Sequence, residues 1–456
     1  MIKERKIFNE TLRKIYGDVA TANAALESIV EGAGCAEPTR TLMENIGRVP
    51  GAIAAPKTGQ LLRYPAPLSP QEAEEAGVLP CDGREIAEEY GALRDFLKPD
   101  MLAYCRRFEG LPARPYTAFQ LAGKKLYLGT STASTTLAVI DAESGAVTQI
   151  AGLPSRAYTA FRLAGKKLYL GYTTAATTLV VIDTESDTAT EVTGLPSRTY
   201  TALQPAGTKL YLGSTTAAAT LAAIDTADGT VTEIAGLPVR TYTALQPAGT
   251  KLYLGSPIAA TTLVVIDTQG DTATEITGLP SRAYTAPLTV GTKLYLGSSS
   301  TATSLAVMDT ADGALTEIAG LPSRKHDAPL AAGTKLYLGS SSAATTLVAI
   351  DTQDDTATQI AGLPNRAYTA PQLAGTKLYL GAGTAATTLA VIDTQDDTAT
   401  EIAGLPERIC NVIRLAGARL YLGSTISATA FLPYLTDAPV LPDYRDFEGN
   451  TIYIKH

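Results

Sequence analysis

The chain has 456 residues, of which 18% are charged and 45% hydrophobic, and a formal charge of −8. That balance excludes wholesale disorder, and the acidic charge argues against a general nucleic-acid binder. Two histidines, no tryptophan and four scattered cysteines (Cys35, Cys81, Cys105, Cys410) exclude multi-histidine mechanisms and argue against a disulfide framework or zinc knuckle. No run of 18 apolar residues is present, so no membrane insertion by a spanning helix is expected. The N-terminus is charged where a secretion signal needs an apolar core.

Residues 1–34 carry Phe8, Leu12, Ile15, Val19, Ala22, Leu26 and Ile29 at alternating spacings of four and three. This is an a/d seam, and it predicts a helical coiled-coil segment. A lone helix of that length is marginal in water. Phe8, Leu12, Ile15, Val19, Leu26 and Ile29 are therefore the expected oligomerisation residues, and packing on the chain's own body is the alternative. Residues 35–55 read as a linker.

Over 56–100, Ser69 is placed to cap a short helix, with Pro70 at its first position, Glu72 closing a capping box and Gly77 ending it. A second helix is expected near 85–97, with Ile86, Tyr90, Leu93 and Leu97 on one face.

From residue 110 the triplet Gly-Leu-Pro recurs at 110, 152, 194, 236, 278, 320, 362 and 404, a strict 42-residue period. That period, with four short apolar runs per unit, predicts propeller blades. In the second unit, YTAFRLA reads as the first strand, KLYLG as the second, TTLVVID as a buried third and TATEV as a half-wet fourth. A Ser/Thr/Ala loop separates the second and third. The last unit lacks a fourth strand, and residues 101–109 stand in register to supply it. The expectation is an eight-bladed β-propeller over 101–436, closed by this upstream strand, which removes an exposed sheet edge. The runs KLYLG and VVIDT at this period resemble the YVTN-type propeller repeats, a likeness that implies fold and not activity.

The flanking pieces carry a second likeness. Pro80-Cys81-Asp82-Gly83-Arg84, Tyr90-Gly91-Ala92-Leu93 and the upstream Gly59, Leu61 and Tyr64 resemble the phage tail collar domain of tail fibres. That family's closing pieces have counterparts only after the repeats, in Leu441-Pro442-Asp443-Tyr444-Arg445 and Tyr453-Ile454-Lys455. The resemblance implies a small α+β collar-like domain made of 56–100 and 437–456, with the propeller inserted in it. It also implies a virion location, a homotrimer, and contacts with other tail or baseplate proteins. The His-x-His tract of some fibre tips is missing, so no metal is expected; nor is any cofactor.

Strand order assigns the propeller faces. The face away from the attachment carries the Gly-Leu-Pro-x-Arg and Ser/Thr/Ala loops. Its charges are nearly all arginine: Arg114, Arg156, Arg198, Arg240, Arg282, Arg324, Arg366 and Arg408, with Lys325 beside them. Such a ring attracts anions, and guanidinium forks suit carboxylate and phosphate. The alternative is that each arginine bonds loop carbonyls for its own blade. Tyr172 and His326 break the repeat pattern and complete the candidate ligand-binding set, since an aromatic ring can stack on sugar. The aspartate ending each third strand is expected to bond backbone.

No paired carboxylates, nucleophile motif or Gly-rich phosphate loop can be placed, so no catalytic residues are expected. The function implied is a tail-fibre or tail-tip protein, not an enzyme, that binds a host surface glycan or protein through that face. A structural spacer and a polysaccharide depolymerase are the rivals.

Overall fold

The computed structural model describes residues 61–62, 70–80, 103–108, 110–402, 405, 408–416, 419–425, 432–440 and 453–455. The seam residues Phe8, Leu12, Ile15, Val19, Leu26 and Ile29, the linker 35–55 and the helix expected near 85–97 lie outside them. The chain divides into two compact units, 1–98 with 441–456, and 99–440.

In the first unit, the C-terminal strand Tyr453–Lys455 pairs antiparallel with Leu61–Leu62 on one side and Val78–Pro80 on the other. A helix covers Pro70–Ala76. Proline suits its first turn, where no intrahelical N–H partner is needed. Gly77 ends it in the left-handed region (φ 61°), its N–H bonding the Glu74 carbonyl at 2.9 Å.

In the second unit every repeat builds a four-stranded antiparallel meander. The second repeat runs Tyr158–Ala164, Lys167–Ala176, Leu179–Asp183 and Thr188–Val192, paired in that order. The first strands contact one another in chain order, and Val412–Ala416 of the last repeat contacts Tyr116–Ala122 of the first, closing a ring. The last repeat takes its outer strand from the other end of the sequence. Ala103–Phe108 pairs antiparallel with Leu432–Val440, with Ala103 opposite Val440 and Phe108 opposite Leu432. That exit strand runs four residues past the boundary read from the sequence.

The core lies between repeats, which explains the continuous apolar third strand. Its residues alternate in direction, so Leu137 and Val139 join Tyr127 in facing Leu168, Leu170 and Ile182 of the next repeat. Ala138 and Ile140 face the other way, toward Tyr421 of the last repeat. Each strand is thus buried on both faces, and each large side chain so placed contributes about 1.5–3 kcal/mol.

The Ser/Thr/Ala segment is more ordered than a loop. In the second repeat the second strand continues through it to Ala176, and there pairs with Arg198–Tyr200 at the start of the third repeat. Leu195 adds an N–H bond to the Thr177 carbonyl at 3.1 Å. Neighbouring repeats are therefore stitched by backbone. In the fourth repeat Pro257, which has no N–H, stops the second strand at Gly255, and the backbone stitch to the next repeat shrinks to the isolated bridge of Ala260 with Arg282 and the Leu279 N–H bond to the Thr261 carbonyl.

The opposite edge of the ring carries a second stitch. Asp187 projects from the turn between the third and fourth strands. Its carboxylate accepts from Lys125 Nζ (2.6 Å) and Tyr127 Oη (2.8 Å) of the preceding repeat. Asp271, Asp355 and Asp397 do the same for Lys209 with Tyr211, Lys293 with Tyr295, and Lys335 with Tyr337. All four aspartates are left-handed, with φ between 50° and 61°. The other complete repeats place Gly145, Gly229 and Gly313 there, so they lack this carboxylate.

Candidate functional site

The described guanidinium groups of the arginine ring are engaged by their own repeats. Arg198 sends Nη1 to the Thr220 carbonyl (2.9 Å) and Nη2 to Thr220 Oγ1 (2.6 Å). Arg114, Arg156, Arg240, Arg282 and Arg366 repeat this fork on Thr136, Thr178, Thr262, Ser304 and Thr388. Five also face a glutamate on the fourth strand: Arg156–Glu191, Arg198–Glu233, Arg240–Glu275, Arg282–Glu317 and Arg366–Glu401, at 3.1–3.9 Å. The arginines therefore pin the chain between the second and third strands, and only 15–21% of these five side chains is exposed. The side chain of Arg408 lies outside the described residues.

The aromatic candidates are also internal. Tyr172 is fully buried. Its hydroxyl bonds the Thr178 carbonyl, its ring carries the Arg156 guanidinium 4.7 Å from the centroid, and Tyr200 meets it edge-on. This corrects its placement as a sugar-stacking residue: the ring has no open face. At the repeated Tyr position, hydroxyls bond the Gly-Leu-Pro proline carbonyl, as Tyr200 does to Pro196 at 2.6 Å. His326 takes that place in the sixth repeat and is buried, its Nε2 3.3 Å from the Pro322 carbonyl. It is likewise a core residue and not a ligand contact. Lys325 beside it is half-buried.

The sixth repeat is under-satisfied. His326 Nδ1 and Arg324 Nε and Nη2 are buried without hydrogen-bond partners. Burial, then the charge of Arg324, hold the His326 pKa below its ordinary value. His326 is thus neutral when folded and charges more readily when unfolded. Its contribution falls as pH drops below about 6.5, toward its lower folded value. His326→Tyr restores the repeat's hydroxyl and is expected to stabilise by about 1–2 kcal/mol near neutrality, and by more at pH 5. Thermal melts of both proteins at the two pH values check this.

Sequence differences between repeats leave two irregular places on this face. The glutamate position is Gln149 in the first repeat and Gln359 in the sixth. No described carboxylate pairs with Arg114 in consequence; it bonds Ser134 Oγ (2.6 Å), the Thr136 carbonyl (2.8 Å) and Thr136 Oγ1 (2.6 Å). An open depression of about 740 Å³ adjoins it, lined by Arg114, Ser134, Thr136, Gln149 and Ser155 among others. In the fourth repeat Val239 and Ile258 are 70% and 47% exposed, where the other complete repeats carry small or polar residues.

The third-strand aspartates cap turns. Asp183 Oδ1 accepts from the N–H groups of Glu185 (2.9 Å) and Ser186 (3.0 Å), and these bonds hold its carboxyl below the usual range. Among the described residues no group of three His, Cys, Asp or Glu side chains is placed to hold a metal.

No family model and no curated protein matches the chain. Solved structures do. The computationally designed Ika8 protein aligns at TM-score 0.59 with 16% identity, covering 72% of this chain and 99% of that one. BamB from Moraxella catarrhalis aligns at TM-score 0.54 with 15% identity, covering 73% and 99%. Virginiamycin B lyase from Staphylococcus aureus aligns at 0.47 with 14% identity, covering 73% and 98%. BamB is a β-propeller, and the likeness establishes that fold for the repeat region without bearing on activity.

Proposed function

We propose that this chain is a tail-fibre or tail-tip component of a phage or phage-like particle. In this reading its propeller has eight blades, is inserted in a collar-like frame, and binds an acidic glycan on the host surface. One observation carries it. Tyr453–Lys455 lies between Leu61–Leu62 and Val78–Pro80, so the two ends of the frame form one sheet, while the ring between them closes through Ala103–Phe108 and Leu432–Val440. A closed module whose ends meet can be displayed from a loop without disturbing its host domain. In this reading the seam of 1–34 joins copies of the chain, the likeness to tail fibres makes the assembly a homotrimer in contact with other tail proteins, and several weak sites act together.

The arginines spent on their own loops shift the binding site to the depression beside Arg114. Arg114 makes the same fork on its own loop but has no described carboxylate paired with it, and the walls of the depression are hydroxyl and amide groups suited to sugar. Gln149→Glu places the repeat's usual glutamate against Arg114 with little change of shape. The wild-type protein is expected to bind cells of a susceptible host saturably and to block phage adsorption. Gln149→Glu is expected to weaken that binding about tenfold, a cost of ~1.4 kcal/mol, without lowering Tm. Absence of saturable binding by the wild type would overturn the receptor-binding reading. Unchanged binding by the variant would overturn the Arg114 site alone.

The spacer reading keeps one specific support, the engagement of the described ring arginines, Arg114 included, within their own repeats. An antibody against the propeller that fails to decorate intact particles would favour it.

A further inference from the structure

One position of the first strand is paired with the second-strand tyrosine in every repeat. It holds Gln120 opposite Tyr127 in the first repeat, Arg162 opposite Tyr169 in the second and Arg414 opposite Tyr421 in the last. First strands end each sheet on the inner side and contact the first strands of the repeats on either side, so this register forms a belt around the ring axis. The strand of Arg414 contacts that of Gln120, which contacts that of Arg162. Two cations therefore flank one glutamine on a single arc. The same register four and five repeats on holds Leu288 and Leu330.

These two arginines differ from those of the outer loops. Arg162 spends Nε on the Leu203 carbonyl at 2.8 Å, and its two terminal NH₂ groups meet no acceptor among the described residues. Arg414 makes no hydrogen bond among the described residues, and no described carboxylate pairs with either. Arg162 is exposed to solvent and Arg414 is half-buried. Burial first, and the charge of Arg414 second, hold Arg162 below the ordinary guanidinium value; burial does the same to Arg414. Neighbouring like charges in a partly desolvated place are costly unless an anion joins them. Guanidinium forks match the planar or tetrahedral oxygens of an oxyanion. Gln120, whose Nε2 bonds the Leu121 carbonyl at 3.0 Å, keeps its carboxamide on its own strand and adds no competing charge.

We propose that Arg162 and Arg414 form an anion site on the propeller axis that takes the carboxylate or phosphoryl group of a small acid. Leu288 and Leu330 give the far arc an apolar character, so an acid with a partly apolar body suits the belt better than a bare ion. The site lies apart from the Arg114 depression and does not depend on the host-binding reading.

Calorimetric titration of the full chain with inorganic phosphate and with glucuronate, at ionic strength fixed with sodium chloride, tests it. At least one probe is expected to bind saturably. Binding is expected to weaken more than about tenfold in Arg162→Gln and in Arg414→Gln. The bound probe should raise Tm in the wild type and not in the variants. Glucuronate alone would identify a carboxylate site, and phosphate alone a phosphoryl site. Arginine modification by phenylglyoxal, read by mass spectrometry on the wild-type protein, keeps the test valid if a variant fails to fold. The bound probe should protect Arg162 and Arg414 over Arg114. No saturable binding of either probe, equal affinity in well-folded variants, or no selective protection would overturn the proposal.

Discussion

Gly339→Val is expected to cost about 3 kcal/mol or more and to lower Tm by roughly 4 °C or more. A Cβ at Gly339 would lie 2.6 Å from the Tyr368 carbonyl oxygen of the next repeat, 2.9 Å from the Ala328 carbonyl and 3.0 Å from Ala328 Cβ. The nearest obstacle is backbone, which cannot swing aside as a long side chain can. The substitution forces two repeats apart at the place where the second strand of one meets the first strand of the next. Because the repeats close on themselves, that separation must be absorbed all round the ring. Gly423 holds the same position at the closing boundary, where a Cβ would lie 2.6 Å from the Tyr116 carbonyl. Gly423→Val should therefore be at least as damaging. Circular dichroism melts and gel filtration check both, and a Tm within about 2 °C of wild type would refute this account of the ring's packing.

Substitution of Asp355 should separate two effects that the native residue combines. Asp355→Ala removes the carboxylate that Lys293 and the Tyr295 hydroxyl share at 2.8 and 3.0 Å, leaving Lys293 with the Thr352 carbonyl and the hydroxyl with no other acceptor among the described residues. It also puts a Cβ-bearing residue without a polar end at φ 61°. The expected loss is about 2–4 kcal/mol. Asp355→Gly also loses the carboxylate but removes the backbone strain, and should recover about 1 kcal/mol of that. Asp355→Asn keeps an acceptor and tolerates the left-handed region, and should be the mildest of the three. Urea unfolding of the series tests the order Asp, Asn, Gly, Ala. Equal stability of the Gly and Ala variants would mean that the backbone term is negligible.

The propeller was legible in the sequence because its period is strict and its strands are short and separated by turn residues. KLYLG and LVVID are apolar at consecutive positions because each sheet face meets another sheet. The helix at Pro70–Ala76 was readable from Pro70 and Gly77. What the sequence concealed was the use of repeated polar residues. Eight arginines in register look like a surface charge ring until the partners of the seven described ones are seen 22 residues on, in Thr and Ser groups that composition alone assigns to a loop. Tyr172 looked like a departure open to a ligand, whereas it fills the space between Arg156 and Tyr200. The informative signals were smaller: glutamine for glutamate at 149 and 359, arginine for glutamine at 162 and 414, and aspartate alternating with glycine in the outer turns. Each needs the repeats aligned by sheet register before it can be read as a partner gained or lost.

The pairing of Ala103 with Val440 sets how the ring responds to pulling. Both its ends leave from the same end of one antiparallel pair. Tension drawing those ends apart loads the ladder one rung at a time, beginning at Ala103 and Val440, instead of shearing all its bonds together. A ring held in this way resists heat through every interface it closes, yet parts like a zip under a modest force applied at its ends. A pulling experiment with handles at those two ends should therefore register a low first rupture, followed by the stepwise release of successive 42-residue lengths.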